Sequence, residues 1–314
     1  MFQTVTFVTI NSDNAGQRVD NFLLSKLKGV PKTYVYRIIR KGEVRINKKR
    51  CKVSSRLSTG DIVRIPPVRV AEPKQLSDKA TERHRYLLDK VLYQDEHIMV
   101  INKPSGLAVH SGSGLSYGII ELLRELTQLR FLELVHRLDR ETSGCLLLAK
   151  KRSALTTLSE AFRSNSGKNH QLDKRYLALV KGNWDVKQTS IKEPLSKRKM
   201  SAGEHRVIVA EDGQYAHTIF SVKKVFSNAT LVEAKLLTGR THQVRVHAQS
   251  QSHSLAGDDK YGDRSFNIKM KEVGLNRLFL HASNLKFNHP ASGERVSVEA
   301  PLADELVKVV DRLS

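Results

Sequence analysis

Between residues 66 and 88 the chain carries Pro66, Pro67 and Pro73 and almost no apolar periodicity. Proline locks its own φ and lacks a backbone N–H, so a segment of this kind ends helices and interrupts sheet ladders. It predicts two folded bodies: a domain over 1–70, a linker over 71–88 and a larger domain over 89–314. A chain of 314 residues has enough side chains for a core in each.

The two bodies differ in charge. The whole chain holds 53 Lys and Arg against 32 Asp and Glu, a net of +21 with a pI near 10.0. Residues 1–70 contain fifteen of the basic and four of the acidic residues, a net of +11, so more than half of the excess lies in the first quarter. Such an excess attracts a polyanion over long range, and nucleic acid is the natural one. Anionic membrane is the competing partner. The longest unbroken apolar run is five residues, and the start of the chain lacks a basic segment followed by a long apolar one, so neither a membrane span nor a signal peptide is expected. Cys51 and Cys145 fall in different bodies and form no zinc-type cluster, which fits a reduced cytoplasm with no disulfide and no structural metal.

Within 1–70, Val19, Phe22, Leu23 and Leu27 mark the inner face of one helix. Pro31 opens a second, with Val35, Ile38 and Ile39 inward and Gly42 placed to stop it. Its outer face is basic: Arg37, Arg40 and Lys41 lead into Val44–Arg50, which alternates like a strand and then turns through Lys48, Lys49 and Arg50. Gly60–Pro66 reads as a closing strand. Arg37, Arg40, Lys41, Arg45, Lys48, Lys49 and Arg50 are therefore candidate phosphate contacts, because one helix and the turn after it share a sign. Residues 17–66 resemble the small alpha-L RNA-binding domain found in a small-subunit ribosomal protein and in tyrosyl-tRNA synthetases.

In 89–314, strand-like runs recur at Ile98–Asn102, Cys145–Ala149, Tyr176–Val180, Thr218–Val222, Leu231–Leu236 and Val296–Val298. Helical patterns interrupt them at about 116–127, at 153–163 and after Thr241. Connections of both hairpin and helix length argue for α+β with a mixed, mainly antiparallel sheet. Two absent motifs limit the chemistry. Gly112-x-Gly114 is followed by Gly118, out of step with a dinucleotide fingerprint, and no Gly-Lys-Ser/Thr closes a phosphate loop, so no nucleotide cofactor is expected. His242 and His247 are five apart with no intervening Glu, unlike the H-E-x-x-H of zinc proteases, so no catalytic metal is expected.

One segment carries a specific chemistry. His136-Arg137-Leu138-Asp139-Arg140-Glu141-Thr142-Ser143-Gly144 sets an aspartate between two arginines and runs straight into the strand candidate Cys145–Ala149. A nearby guanidinium stabilises the ionised carboxyl, so Asp139 is expected to be a standing anion, suited to attack or electrostatic stabilisation rather than proton donation. Taken alone, Arg-x-Asp is most often a surface salt bridge in a turn. The whole nonapeptide, however, resembles the signature H-R-L-D-x-x-T-S-G of the RluA-type pseudouridine synthases.

Three more segments resemble that family: Val100–His110, a strand into a Pro/Gly turn; Lys174–Gly182, matching K-x-Y-x-A-x-V-x-G; and Leu237–His247, which carries Arg240, His242, Gln243, Arg245 and His247. With the nonapeptide they span most of the second body. The resemblance implies a pseudouridine synthase catalytic domain preceded by the alpha-L domain, and isomerisation of selected uridines of bacterial 23S ribosomal RNA, or its large-subunit precursor, to pseudouridine. It makes Asp139 the essential aspartate, Arg245 its ion-pair partner and Tyr176 the ring against the target base, with a hydroxyl in reach of a ring proton. Arg137 would fill the stack vacated by a flipped nucleotide, and Leu280 would pack on the flipped base. Lys103 assists binding at most. No cofactor and a monomer are expected. Two local points stay open: Thr241 suits a helix cap that puts His242 and Arg245 on one face, whereas Val244-x-Val246 equally suits a strand. Whether Asp139 attacks ribose C1′ or removes the C2′ proton is open too. The rival readings are a sister synthase with another choice of uridines and a catalytically silent RNA-binding assembly factor, against which intact Asp139, Tyr176 and Arg245 argue. A DNA-binding regulator would need a recognition helix and a dimer seam, and neither pattern appears.

Overall fold

The computed structural model describes residues 4–27, 30–68, 77–111, 117–129, 131–164, 172–184, 187–200 and 203–314. The chain divides into two compact units, Met1–Gln75 and Leu76–Ser314. Gly112, Gly114 and Pro73 lie outside the described residues.

The first unit comprises β1 (Thr6–Thr9), α1 (Val19–Lys26), α2 (Lys32–Arg40), β2 (Arg45–Ile46), β3 (Lys49–Arg50) and β4 (Ile62–Ile65), with sheet order β1-β4-β2-β3, antiparallel throughout. Its core is formed by Val19, Phe22, Leu23 and Leu27 against Val35, Ile38 and Ile39, closed by Val63 and Ile65. That is the helical spacing expected of two amphipathic helices. Gly42 ends α2 at φ +72, where a Cβ would fall 2.3 Å from Arg50 Nε. The β2–β3 turn sets Asn47 and Lys48 at φ 50 and 65, the left-handed pair that a two-residue hairpin requires. Asn47 tethers it, donating to Asp61 and accepting from the Ile62 N–H, both at 2.8 Å. Lys48 and Lys49 are thereby held at an exposed tip.

The second unit begins earlier than the expected linker allows. Residues 78–83 form α3 and 85–90 a 3-10 helix whose Leu87 is fully buried, so the second half of 71–88 is folded. Next come β5 (Val91–Gln94), β6 (Ile98–Lys103), α4 (Ile119–Thr127), β7 (Glu133–Leu134), β8 (Ser143–Ala149), α5 (Arg152–Ser164) and β9 (Leu172–Lys181). They are followed by β10 (Gln188–Ile191), β11 (Leu195–Lys199), β12 (His205–Val209), β13 (Thr218–Val225), β14 (Ala229–Leu236) and α6 (Gln243–Ser250). The unit ends with α7 (Arg264–Glu272), β15 (Leu280–Asn288), β16 (Arg295–Glu299) and α8 (Asp304–Arg312).

Ten of these strands form one sheet of order β10-β13-β14-β9-β15-β8-β6-β5, with β16 on β15 and β7 on β8, while β11 and β12 make a separate ribbon. Every described pairing is antiparallel except β15 with β8, so the sheet is mixed and mainly antiparallel. Side chains alternate across β9: Tyr176, Ala178 and Val180 join the main core, and Leu179 joins a second core with Phe266 and Met270 of α7 and Leu306 and Val309 of α8. The parallel contact demands a glycine. Gly144 sits at φ +106, and a Cβ there would lie 2.2 Å from the Ala282 carbonyl oxygen. No described helix is long and apolar enough to cross a membrane.

Candidate active site

Asp139 lies in the loop between β7 and β8, and that loop is pinned from behind. Gly106 N–H donates to Arg140 O and Arg140 Nε returns a bond to Gly106 O, both at 2.9 Å, while Ser105 Oγ donates to Glu141 O at 2.7 Å. Fully buried Lys103 completes the lock, giving its ammonium to the carbonyls of Pro104, Leu107 and Arg140 at 2.8, 2.7 and 3.0 Å. Burial pulls its pKa down to about 7. The Pro/Gly turn of the Val100–His110 segment thus positions the loop that carries the aspartate.

The carboxylate opens on a cavity of about 890 Å³, a volume suited to a nucleotide. Arg137, Tyr176, Arg245 and Leu280 line it as well, so the residues predicted for catalysis, flipping and base packing all meet at one place. Lys174 joins them in the wall. Tyr176 and Leu280 come from neighbouring strands, with Leu280 in register with Ala178. Tyr176 is nearly buried, and its hydroxyl makes no hydrogen bond among the described residues. Burial, reinforced by the Asp139 charge, pushes its pKa well up, so the phenol keeps its proton at neutral pH. Arg137 is exposed at the rim.

The expected Arg245–Asp139 pair is present but is the weaker half of Arg245's contacts. Nη1 stands 3.5 Å from Asp139 Oδ2, whereas Nε and Nη2 form a fork to Asp258, both at 2.7 Å. Asp258, whose side chain is fully buried, also accepts the N–H groups of Lys260 and Tyr261 at 2.9 Å. Burial disfavours ionisation of Asp258 and of Arg245, but their mutual bonds outweigh it, lowering the acid and raising the base. A rigid guanidinium is thus presented to Asp139. The segment Gly257-Asp258-Asp259-Lys260-Tyr261-Gly262 also resembles the family, but sequence alone assigned Asp258 no role because its partner Arg245 lies thirteen residues away; Gly257 at φ +70, with a virtual Cβ 2.0 Å from Arg277 O, shapes the turn that holds it.

His242 stands near the same carboxylate. The Tyr261 oxygen accepts the Val207 N–H at 3.0 Å, leaving its O–H for His242 Nδ1 at 2.8 Å. The imidazole proton then sits on Nε2, 3.8 Å from Asp139 Oδ2. Burial lowers the His242 pKa, opposed by Asp139, so the ring is neutral near pH 7. Thr241 does not cap α6. The helix starts at Gln243 with His242 as N-cap at φ 56, which settles the helix-or-strand question and turns Arg245 inward.

Arg37, Arg40, Lys41, Arg45, Lys48, Lys49 and Arg50 are all exposed on the first unit. Three of them also brace their own surroundings. Arg37 stacks over the Tyr34 ring at 4.5 Å, Arg45 donates to Gly42 O at 3.3 Å, and Arg50 donates to Lys41 O at 3.1 Å.

A mixed sheet carrying an aspartate backed by an arginine at a nucleotide-sized cavity, preceded by a basic helix-and-hairpin unit, defines a class of RNA-modifying enzyme. Comparison with known proteins agrees. Residues 97–250 match the family model described as RNA pseudouridylate synthase, and residues 17–63 match the S4 domain. Ribosomal large subunit pseudouridine synthase C of Pasteurella multocida (strain Pm70) is 52% identical, with 99% of this chain and 94% of that protein covered. The protein of the same name from Escherichia coli (strain K12) is 52% identical, covering 99% and 97%. Among solved structures, Human RNA Pseudouridylate Synthase Domain Containing 4 superposes with a TM-score of 0.62 at 28% identity over 76% of this chain and 98% of that one. The chain belongs to the RluA-type pseudouridine synthase family, enzymes that isomerise uridine in RNA to pseudouridine.

Proposed function

We propose that this enzyme isomerises selected uridines of bacterial 23S ribosomal RNA, acting as a monomer without nucleotide cofactor or metal, and that Asp139 is the reacting group. One observation carries the reading: among the described residues Asp139 is the carboxylate that lines the cavity, and a guanidinium already neutralised by Asp258 stands 3.5 Å behind it. Cleaving the bond from ribose C1′ to uracil N1 builds positive charge on the sugar, which a carboxylate stabilises or captures. The base must leave its stack to reach the cavity. In this reading Arg137 at the rim fills the gap, Tyr176 and Leu280 sandwich the uracil, and the exposed cations of the first unit hold phosphates.

The test is tritium release from 23S ribosomal RNA labelled at uracil C5, followed by mapping of the modified positions. Release with discrete mapped sites is the expected result. Tight RNA binding without release would instead identify an assembly factor, and modification at other uridines only would identify a sister specificity.

A further inference from the structure

Two lysines are buried beside the cavity, and their surroundings differ. Lys103 has each of its three N–H groups on a backbone carbonyl. Lys174 is 6% exposed, yet among the described residues its Nζ donates only to Thr238 O, at 3.2 Å. The Phe162 ring lies 5.8 Å from it, and no carboxylate of the described residues pairs with it. Its charged neighbour is another cation, Arg240. A buried ammonium with two N–H groups unmet among the described residues and no counter-ion there is costly, and an acceptor arriving from the cavity it lines relieves that cost without loss of the proton.

Its position says which acceptor. Along β9, Leu172, Lys174 and Tyr176 share the buried face, so Lys174 lies one strand repeat from Tyr176, the ring read above as the base platform, and both line a wall that includes Leu236 and Leu280. Arg137 and Arg140 are exposed at the rim, on the side from which a polyanionic RNA backbone would approach. The floor receives the base. Resting on the synthase reading, we propose that Lys174 is a catalytic residue whose ammonium donates to a carbonyl oxygen of the uracil as it leaves the ribose.

The electron balance supports that role. When C1′–N1 breaks, its electron pair passes to N1 and spreads over the ring's carbonyl oxygens, making a uracil anion, while C1′ is left to the carboxylate. The ring then turns, C5 bonds to C1′ as the carboxylate releases it, the C5 proton departs to a base, and a proton taken up at N1 completes the neutral product. Charge on the carbonyl oxygens therefore peaks between cleavage and recombination, and a fixed donor there stabilises the transition state more than bound uridine. Burial brings the Lys174 pKa down to about 8, so the group is still mostly protonated at neutral pH.

The experiment uses the full-length enzyme and a synthetic stem-loop RNA bearing one mapped target as either uridine or 5-fluorouridine, whose ring leaves more readily as an anion. Single-turnover disappearance of the nucleoside is read by mass spectrometry, beside RNA affinity. Lys174→Met is expected to slow uridine conversion by about 100-fold or more, to leave affinity within about threefold, and to show a deficit at least tenfold smaller on 5-fluorouridine. Lys174→Gln, which keeps a neutral donor, should fall between and serves if the Met variant does not fold. Equal deficits on both nucleosides would overturn the assignment in favour of a structural role, and an affinity loss with a shallower salt dependence would overturn it in favour of a phosphate contact. If the wild-type enzyme converts no uridine, the synthase reading itself fails; if wild type converts and the variants match it, only the role of Lys174 falls.

Discussion

The first unit and the cavity of the second both depend on cations, but they hold them in opposite ways. On the first unit the candidate phosphate contacts stand exposed on one helix and hairpin tip, where their charges act together. At and beneath the cavity, by contrast, Arg245 and Lys103 are enclosed and have particular partners: Arg245 is clamped by Asp258, and Lys103 by three carbonyls. Exposed charge acts through its sum and is screened by salt, whereas buried charge acts through geometry and is not. Removing one residue should therefore be graded on the first unit and severe in the cavity.

The sharpest version of that contrast is Asp139→Asn. It is expected to cut pseudouridine formation at least about a thousandfold while RNA affinity stays within about tenfold, because the charge is needed chiefly in the transition state. Turnover within tenfold of wild type would break the contrast.

Asp258→Asn comes next, since it leaves the Arg245 charge buried without its fork. A loss of about 3–5 kcal/mol of stability is expected from unpairing a buried ion, read as a lower denaturant midpoint, together with weakened turnover. The pH dependence gives a second measure. The Asp258 pKa is depressed in the folded state, so its contribution is complete above the unfolded carboxylate value of about 3.9 and is lost as pH falls through the lower folded value. The Asn variant should consequently show a flatter decline in stability below about pH 4; an unaltered acid limb would mean that the fork contributes no pH-linked stability.

Tyr176 separates packing from proton transfer. With its phenol held protonated, Tyr176→Phe should retain most activity, whereas Tyr176→Leu removes a stacking face worth about 1–3 kcal/mol. Equal losses for Phe and Leu in single-turnover rates would assign the hydroxyl a direct part.

The smallest effect is expected on the first unit. Replacing Arg40, Lys41 and Lys49 together with Ala should lower the slope of log affinity against log salt by about 2, at roughly 0.7 to 0.9 per phosphate contact, with kcat on saturating RNA unchanged. An unchanged slope would show that these cations face water alone.

Much of this was legible locally. The proline-bearing segment separates the units and the i, i+3, i+4 pattern of Val19, Phe22 and Leu23 places one helix, because backbone restriction and periodicity are properties of adjacent residues, while Asp139 is singled out as the proposed reacting carboxylate by the resemblance of the whole nonapeptide rather than by Arg137 and Arg140 alone. Val244-x-Val246 is too short to tell a helix from a strand, and α6 was settled by His242 in the left-handed region. β15 went unread because His281, Ser283 and Asn284 interrupt its apolar pattern; in place, His281 bonds Ser143 and the Ala300 carbonyl, and a polar residue becomes compatible with a buried strand. The partners of charged groups were decided only by tertiary structure. Nothing near Lys103 or Lys174 in the chain says that one will meet three carbonyls and the other a single carbonyl and a cavity, and nothing near Arg245 points thirteen residues on to Asp258. A buried ion is defined by the groups within about 3 Å of it, and those arrive from distant strands and loops only when the sheet closes around them.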